Sequence, residues 1–261
     1  MFRIQYSSIN PSKLNVQYPY MLLKHNCFDS YVPILSDTIR DMVFDLDASS
    51  QRGSQVVDRK GGMQFGNRGT SIDNGVKCWN LSCSFLERSG GSTLVETQCY
   101  THAYLLKWRV SDKPGWRTLL RHGNDHCGLV KNGGRALGMY SNRNGAFRPC
   151  GFDITPQQDR FEVVVITGEG DTVTSSTGTS TFYTEVEAGK MKPVGTADRV
   201  GCGQKYWQLG HPGQGPGKIA RVMTWQRVLS TSEIDAVARH LQNKIQNEIT
   251  AYQQLNHVET G

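Results

Sequence analysis

Long apolar runs are missing from this chain. No stretch approaches the roughly 20 apolar residues that a membrane-spanning helix requires, and nothing between Met1 and Lys24 has the unbroken apolar length of a secretory leader. Catalytic signatures are equally scarce: there is no G-x-S-x-G elbow, no Walker A loop and no dinucleotide-binding glycine fingerprint. Cysteine pairs of the C-x-x-C type are absent as well. The seven cysteines (Cys27, Cys78, Cys83, Cys99, Cys127, Cys150 and Cys202) are odd in number and widely spaced, which excludes a zinc ribbon and a dense disulfide framework. Proline is sparse, 9 against 28 glycines, a balance that suits the many tight turns of an all-β chain.

Neither sign of charge dominates. A net charge of +6 favours anionic partners such as acidic glycans, protein surfaces or membrane surfaces. It lacks the concentrated basic stripe of a nucleic-acid binder, so no nucleic acid is expected. Basic residues thicken between Lys107 and Arg148, through Arg109, Lys113, Arg117, Arg121, Lys131, Arg135 and Arg143. A solvated sheet face is the first reading of that stretch and an anion site the second. Residues 1–28 contain no acid and carry Arg3, Lys13 and Lys24, as organelle-import segments do, although Pro11 and Pro19 spoil a helix there. An intracellular location is the expectation, with organelle import as the alternative. The sequon Asn80-Leu81-Ser82 would take a glycan only in the secretory route.

What the chain does have is period-two alternation. Met42, Phe44, Leu46 and Ala48 alternate with Asp41, Val43, Asp45 and Asp47, which predicts a half-buried strand. Trp79, Leu81, Cys83 and Phe85 alternate in a second run, and Tyr104, Leu106, Trp108 and Val110 in a third. Asn132-Gly133-Gly134, between Leu129–Lys131 and Ala136–Tyr140, predicts a β-hairpin, because Asn-Gly supplies the positive φ of a tight turn. Further strands are expected at 160–167, 180–186, 206–210 and 219–225, with 168–178 as a Gly, Ser and Thr-rich loop. Evenly spaced strands of this kind argue for a sandwich or barrel. One helix is expected, from about residue 231. Ser230 and Glu233 form a capping box, and Ile234, Val237, Ala238, Leu241, Ile245, Ile249 and Tyr252 recur at helical spacing, leaving Arg239, Lys244, Gln246 and Asn247 toward water.

The segment from Gly217 to Ile234, with Ile219, Ala220, Val222, Trp225, Arg227, Leu229, Ser230 and Glu233, resembles the closing strand and helix start of laminin-G-like domains. Val43–Asp47 is similar to that family's opening strand, and 159–165 followed by 180–183 to its central hairpin. The likeness covers about residues 41–242. It implies an all-β fold, a two-sheet antiparallel jelly-roll sandwich of the concanavalin A-like lectin and glucanase kind, here followed by a long C-terminal α-helix. The expected organisation is an irregular N-terminal arm (1–40), the sandwich (41–230), and the helix and tail (231–261).

That family consists mostly of carbohydrate- or protein-binding modules, with some glycanases. The glycanases usually carry an E-x-D-x-x-E string on one strand, and none occurs here; Asp45 and Asp47 share a strand face without a third acid. The expected function is therefore a non-catalytic, lectin-like recognition module for a glycan or protein surface. The alternative is a structural subunit of a larger assembly that uses the N-terminal arm and C-terminal helix for contacts, with a glycan hydrolase as a third reading. Sugars offer apolar ring faces and hydroxyl edges, so aromatic and amide side chains near loops are candidates. Tyr206, Trp207, Gln208 and His211 beside the Gly-Pro loop 212–217 fit this, as do Asn142, Arg143 and Asn144 after the hairpin. Calcium, bound at the rim of several family members, is a candidate cofactor, with Asp125, Asn144 and Asp198 as oxygen donors. The segment His122–Cys127 offers imidazole, carboxylate and thiol groups but reads first as an ordinary turn.

Overall fold

The structure is a computed structural model. It describes residues 35–60, 63–91, 99–109, 115–122, 125–141, 146–156, 160–170, 177–187, 189–200 and 207–258. Two antiparallel sheets face each other, and one long helix covers the outer side of the first. The strands are β1 (Phe44–Asp47), β2 (Gln55–Val57), β3 (Met63–Asn67), β4 (Ser71–Asp73), β5 (Val76–Asn80), β6 (Phe85–Gly91), β7 (Tyr100–Trp108) and β8 (Arg117–His122). There follow β9 (Asp125–Val130), β10 (Ala136–Ser141), β11 (Ala146–Asp153), β12 (Glu162–Gly170), β13 (Thr177–Glu187), β14 (Lys190–Val200), β15 (Trp207–Gly210) and β16 (Gly217–Trp225). A short helix α1 ends at residue 40 and is described from 35; α2 spans Thr231–Val258.

Sheet one runs β14-β13-β12-β7-β16-β5-β4, and β1 pairs with β16. β1 lies along Arg221–Thr224 and β5 along Lys218–Ile219, so the two share one edge of β16. Sheet two runs β11-β10-β9-β8-β15-β6-β3-β2. The central strand β7 is buried at all nine positions because it has a core on each side. Tyr104, Leu106 and Trp108 enter the core between the sheets, and Ala103 and Leu105 enter the layer under α2. β12 divides in the same way, with Val164 and Ile166 between the sheets and Val163 and Val165 under the helix. Strands buried on both faces read as near-continuous apolar runs, as this pair does.

Helix α2 starts as its sequence predicts. The Glu233 amide donates to Ser230 Oγ at 3.4 Å and the Ser230 amide donates to Glu233 Oε2 at 2.9 Å. Ile234, Val237, Ala238 and Leu241 are buried against sheet one, with Ile245 and Ile249 packed beside them. At 1.5 Å per residue, 28 residues extend for about 42 Å. Tyr252 and Leu255 near its end are 40% and 68% exposed.

Several expectations need correction. β1 is buried throughout, not half-buried, because β16 and α2 cover it. The apparent single strand 78–85 is two strands: β5 ends at Asn80 in sheet one, and β6 begins at Phe85 in sheet two. Alternation there continues through a corner, with Leu81 in the core and Cys83 exposed. Part of the expected loop 168–178 is strand, since β12 and β13 stay paired out to Gly170 and Gly178. β14 went unrecognised in the sequence because its 11 residues mix Lys, Pro, Gly and Asp without clean alternation. Residues 35–40 are helical where the N-terminal arm was expected to be irregular. Lys244 faces away from water, with its ammonium 3.1 Å from Asp47.

Candidate functional site

Helix α2 occupies the outer face of sheet one, so the sheet surface left for a ligand is the outer face of sheet two. Its composition follows from register. Directly opposed residues of an antiparallel pair point the same way. Glu87 opposes Gln208, Gln208 opposes Arg121, Arg121 opposes His126, His126 opposes Tyr140, and Tyr140 opposes Phe147. The alternate residues Leu86, Leu209, Leu120 and Met139 lie in the core between the sheets, so in this row Glu87, Gln208, Arg121, Tyr140 and Phe147 face outward, with the backbone of His126 linking its two ends. Six strands spaced about 4.8 Å apart make it about 24 Å long, the reach of an extended ligand.

One end of the row is aromatic. Trp116, just before β8, packs on Tyr140 and Phe147 with ring centroids 5.7 and 5.8 Å away at tilted angles, and all three rings are partly exposed. The other end is polar. Gln208 donates from Nε2 to Glu87 Oε1 at 2.9 Å, while Gln208 Oε1 and Arg121 Nε, both buried, have no hydrogen-bond partner among the described residues. The row thus sets ring faces at one end and a guanidinium, an amide and a carboxylate at the other. Arg117 is not part of the row: it opposes the core residue Val130 and donates from Nε to the Arg109 carbonyl at 3.1 Å. Burial first, and then the charges of Arg109 and Arg135, pull the Arg117 pKa below its ordinary value.

The residues expected from sequence divide into three groups. Gln208 belongs to the row. His211 follows β15, where burial and the nearby charge of Arg121 hold its imidazole below the ordinary pKa. The backbone of Trp207 is placed on β15 opposite His122. Tyr206, Asn142, Arg143 and Asn144 lie outside the described residues. The adjoining Gly-Pro loop is packed backbone. Gln214 donates its amide to the His211 carbonyl at 2.8 Å, and Gly213 takes a φ of +70°, giving a turn with Pro212 at its first central position. A Cβ on Gly215 would overlap the Leu81 carbonyl oxygen. Trp116, Tyr140, Phe147, Arg121 and Glu87 were missed. Only the exposed side of Tyr140 was legible, from the alternation of 137–140; the meeting of these residues depends on register between distant strands.

For calcium, Asp125 sits on β9 opposite Ser141 and exposed Asp198 on β14 opposite Thr179, in different sheets. Among the described residues no group of three or more His, Cys, Asp or Glu is gathered around a common point. His122 and Asp125 are backbone partners closing the β8–β9 hairpin. Asp45 and Asp47 are held by ion pairs to Arg221, Arg59 and Lys244 beneath α2. Among the described residues, Cys78, Cys83 and Cys150 are free thiols. No helix among the described residues is long and apolar enough to cross a membrane.

No protein-family model matches the chain, and no curated protein matches it. Solved structures do. Domain 4 of AbnA, a GH43 extracellular arabinanase from Geobacillus stearothermophilus, in complex with arabinotriose, is 13% identical with a TM-score of 0.51, the match covering 76% of this chain and 98% of that one. Trypanosoma rangeli sialidase in complex with 2,3-difluorosialic acid is 16% identical with a TM-score of 0.49, over 84% of this chain and 40% of that one. The Ruminococcus gnavus IT-sialidase CBM40 bound to alpha2,3 sialyllactose is 18% identical with a TM-score of 0.40, over 67% and 97%. The chain spans about two-fifths of the length of the sialidases it matches. At these identities the likeness to domain 4 of AbnA is one of fold: an antiparallel β-sandwich.

Proposed function

We propose that this chain is a lectin-like recognition module, laminin-G-like in its sandwich, which acts by binding and not by turnover, and that its ligand is a glycan laid across the outer face of sheet two. The observation that carries this is the cross-strand row in which the Trp116, Tyr140 and Phe147 rings share one sheet face with the Arg121 guanidinium and the Gln208–Glu87 pair. Sugar rings stack on aromatic faces while their hydroxyls satisfy donors and acceptors. The arabinotriose held by domain 4 of AbnA, on the same fold, supports a glycan as the ligand class. The acids a glycanase would need on one strand, Asp45 and Asp47, are buried in ion pairs instead, which supports binding without turnover. A glycan array followed by titration of the hits tests the proposal. Binding that weakens in both Trp116→Ala and Tyr140→Ala supports it; no binding, or binding indifferent to both changes, overturns it.

A second reading, a structural subunit, is favoured by the exposed apolar end of α2. Ile249 and Tyr252 pack over Gly75, and beyond them Leu255 stands 68% exposed while Ile72 on edge strand β4 is 60% exposed. Co-purification as an obligate complex in native mass spectra, lost on Leu255→Glu, would select this reading.

A further inference from the structure

We infer that the open end of the sandwich holds a second, separate binding site, for a small organic cation: a primary ammonium carried on an apolar frame. A pocket of about 170 Å³ lies there between the two sheets. Trp108 of β7, Glu162 and Val164 of β12, and Thr184 and Glu185 of β13 form one wall. Leu137 of β10, Phe152 of β11, Ile154 and Thr155 form the other, with Arg160 beside them. An apolar cavity of about 150 Å³ admits a benzene-sized guest; this pocket has similar room for a single ring or short chain, with a partly open mouth and more polar than apolar surface facing it.

Glu162 supplies the recognition. It opposes Leu106 across β12 and β7 and shares a strand face with Val164, whose side chain lies in the core between the sheets. Its carboxylate makes no hydrogen bond or ion pair with any described residue. Burial pushes it up to about 7, the charge of Glu185 adding to that and Arg160 opposing it. Glu185 is already engaged, accepting from the Gly189 amide at 2.8 Å and from Gln242 of α2. Two carboxylates against one exposed arginine leave the pocket short of positive charge. The other lining residues, Leu137, Phe152, Ile154 and Thr155 on the facing wall and Trp108, Val164 and Thr184 beside Glu162, contribute no charge. An ammonium would neutralise Glu162 while its hydrocarbon frame lies against Trp108 and Phe152, aromatic faces that themselves attract cations.

The test is calorimetric or NMR titration of the full chain with cyclohexylammonium, cyclohexanol and cyclohexanecarboxylate at pH 6 and pH 8. Cyclohexylammonium should bind, and about tenfold more tightly at pH 8, because the ionised fraction of Glu162 rises from about one-tenth to about nine-tenths over that interval. Glu162→Gln should abolish both the binding and its pH dependence, Arg160→Gln should strengthen it, and glycan binding on sheet two should be untouched by either. Equal binding of the three probes, no binding of the ammonium, preference for the carboxylate, or indifference to Glu162→Gln would each overturn the inference.

Discussion

Arg221 near the end of the sandwich holds Asp45 near its beginning, 176 residues away, through two hydrogen bonds: Nε to Oδ1 at 2.8 Å and Nη2 to Oδ2 at 3.0 Å. Both side chains are nearly fully buried. Arg59 lies 3.3 Å from Asp45 and 3.1 Å from Asp47, and Lys244 of α2 lies 3.1 Å from Asp47. The network joins β1, β16 and the helix at one point.

Breaking such a pair leaves a buried charge without compensation. Asp45→Ala should cost about 3–5 kcal/mol, read as a lower midpoint in urea unfolding. The double change Asp45→Leu with Arg221→Met should cost less than Asp45→Ala alone, since it leaves no orphaned charge. A single variant as stable as the parent would show that the network carries no stability.

Acid sensitivity should come in two windows. His240 accepts a contact from Arg221 Nη1 at 2.8 Å, and burial followed by the Arg221 charge lowers its pKa to about 4 from 6.5. The folded state thus prefers the neutral ring; its contribution is complete above pH 6.5 and is lost as pH falls toward 4, at up to about 1.4 kcal/mol per pH unit. Glu233 is lowered to about 2 from 4.5, chiefly by its hydrogen bond from Arg227, so its contribution is complete above pH 4.5 and is lost as pH falls toward 2. Stability curves of His240→Gln should flatten in the first window only, and those of Glu233→Gln in the second only.

The helix cap can be tested alone. Ser230→Ala removes the hydroxyl that accepts from the Glu233 amide and should cost about 1 kcal/mol in chemical denaturation. No change would mean that the Arg227–Glu233 pair, 2.6 Å apart, anchors the helix start unaided.

Two glycines should respond differently to a methyl group. A Cβ on Gly215 runs into the Leu81 carbonyl, so Gly215→Ala should lose more than about 3 kcal/mol. Gly53 has a φ of +68° but nothing within 4 Å, so Gly53→Ala should cost only about 1–2 kcal/mol, the penalty of a left-handed backbone. Thermal melts of the pair would check the ranking.

Trp116→Ala should lower glycan affinity about tenfold and melt within a few degrees of the parent, because its ring is partly exposed and, among the described residues, stacks on no rings but Tyr140 and Phe147. A large fall in melting temperature would instead make Trp116 a structural residue.

The sequence alone determined whatever depends on neighbours a few residues apart. The α2 start follows from Ser230 and Glu233, the β9–β10 hairpin from Asn132 and Gly133, and the strands β7 and β12 from their apolar and β-branched runs, although not that both their faces are buried; side-chain period and capping are local physics. The tertiary structure decided what depends on register and on which surfaces meet. Continuous alternation from 78 to 85 could not reveal a corner between sheets, because β5 and β6 keep the same pattern while changing partners. Lys244 looked solvent-facing until β1 placed Asp47 against it. Trp116, Tyr140 and Phe147 became one cluster only when β10 paired with β11 and the chain before β8 folded over them, since a residue's alternation reports which side it faces but not which distant residue shares that side.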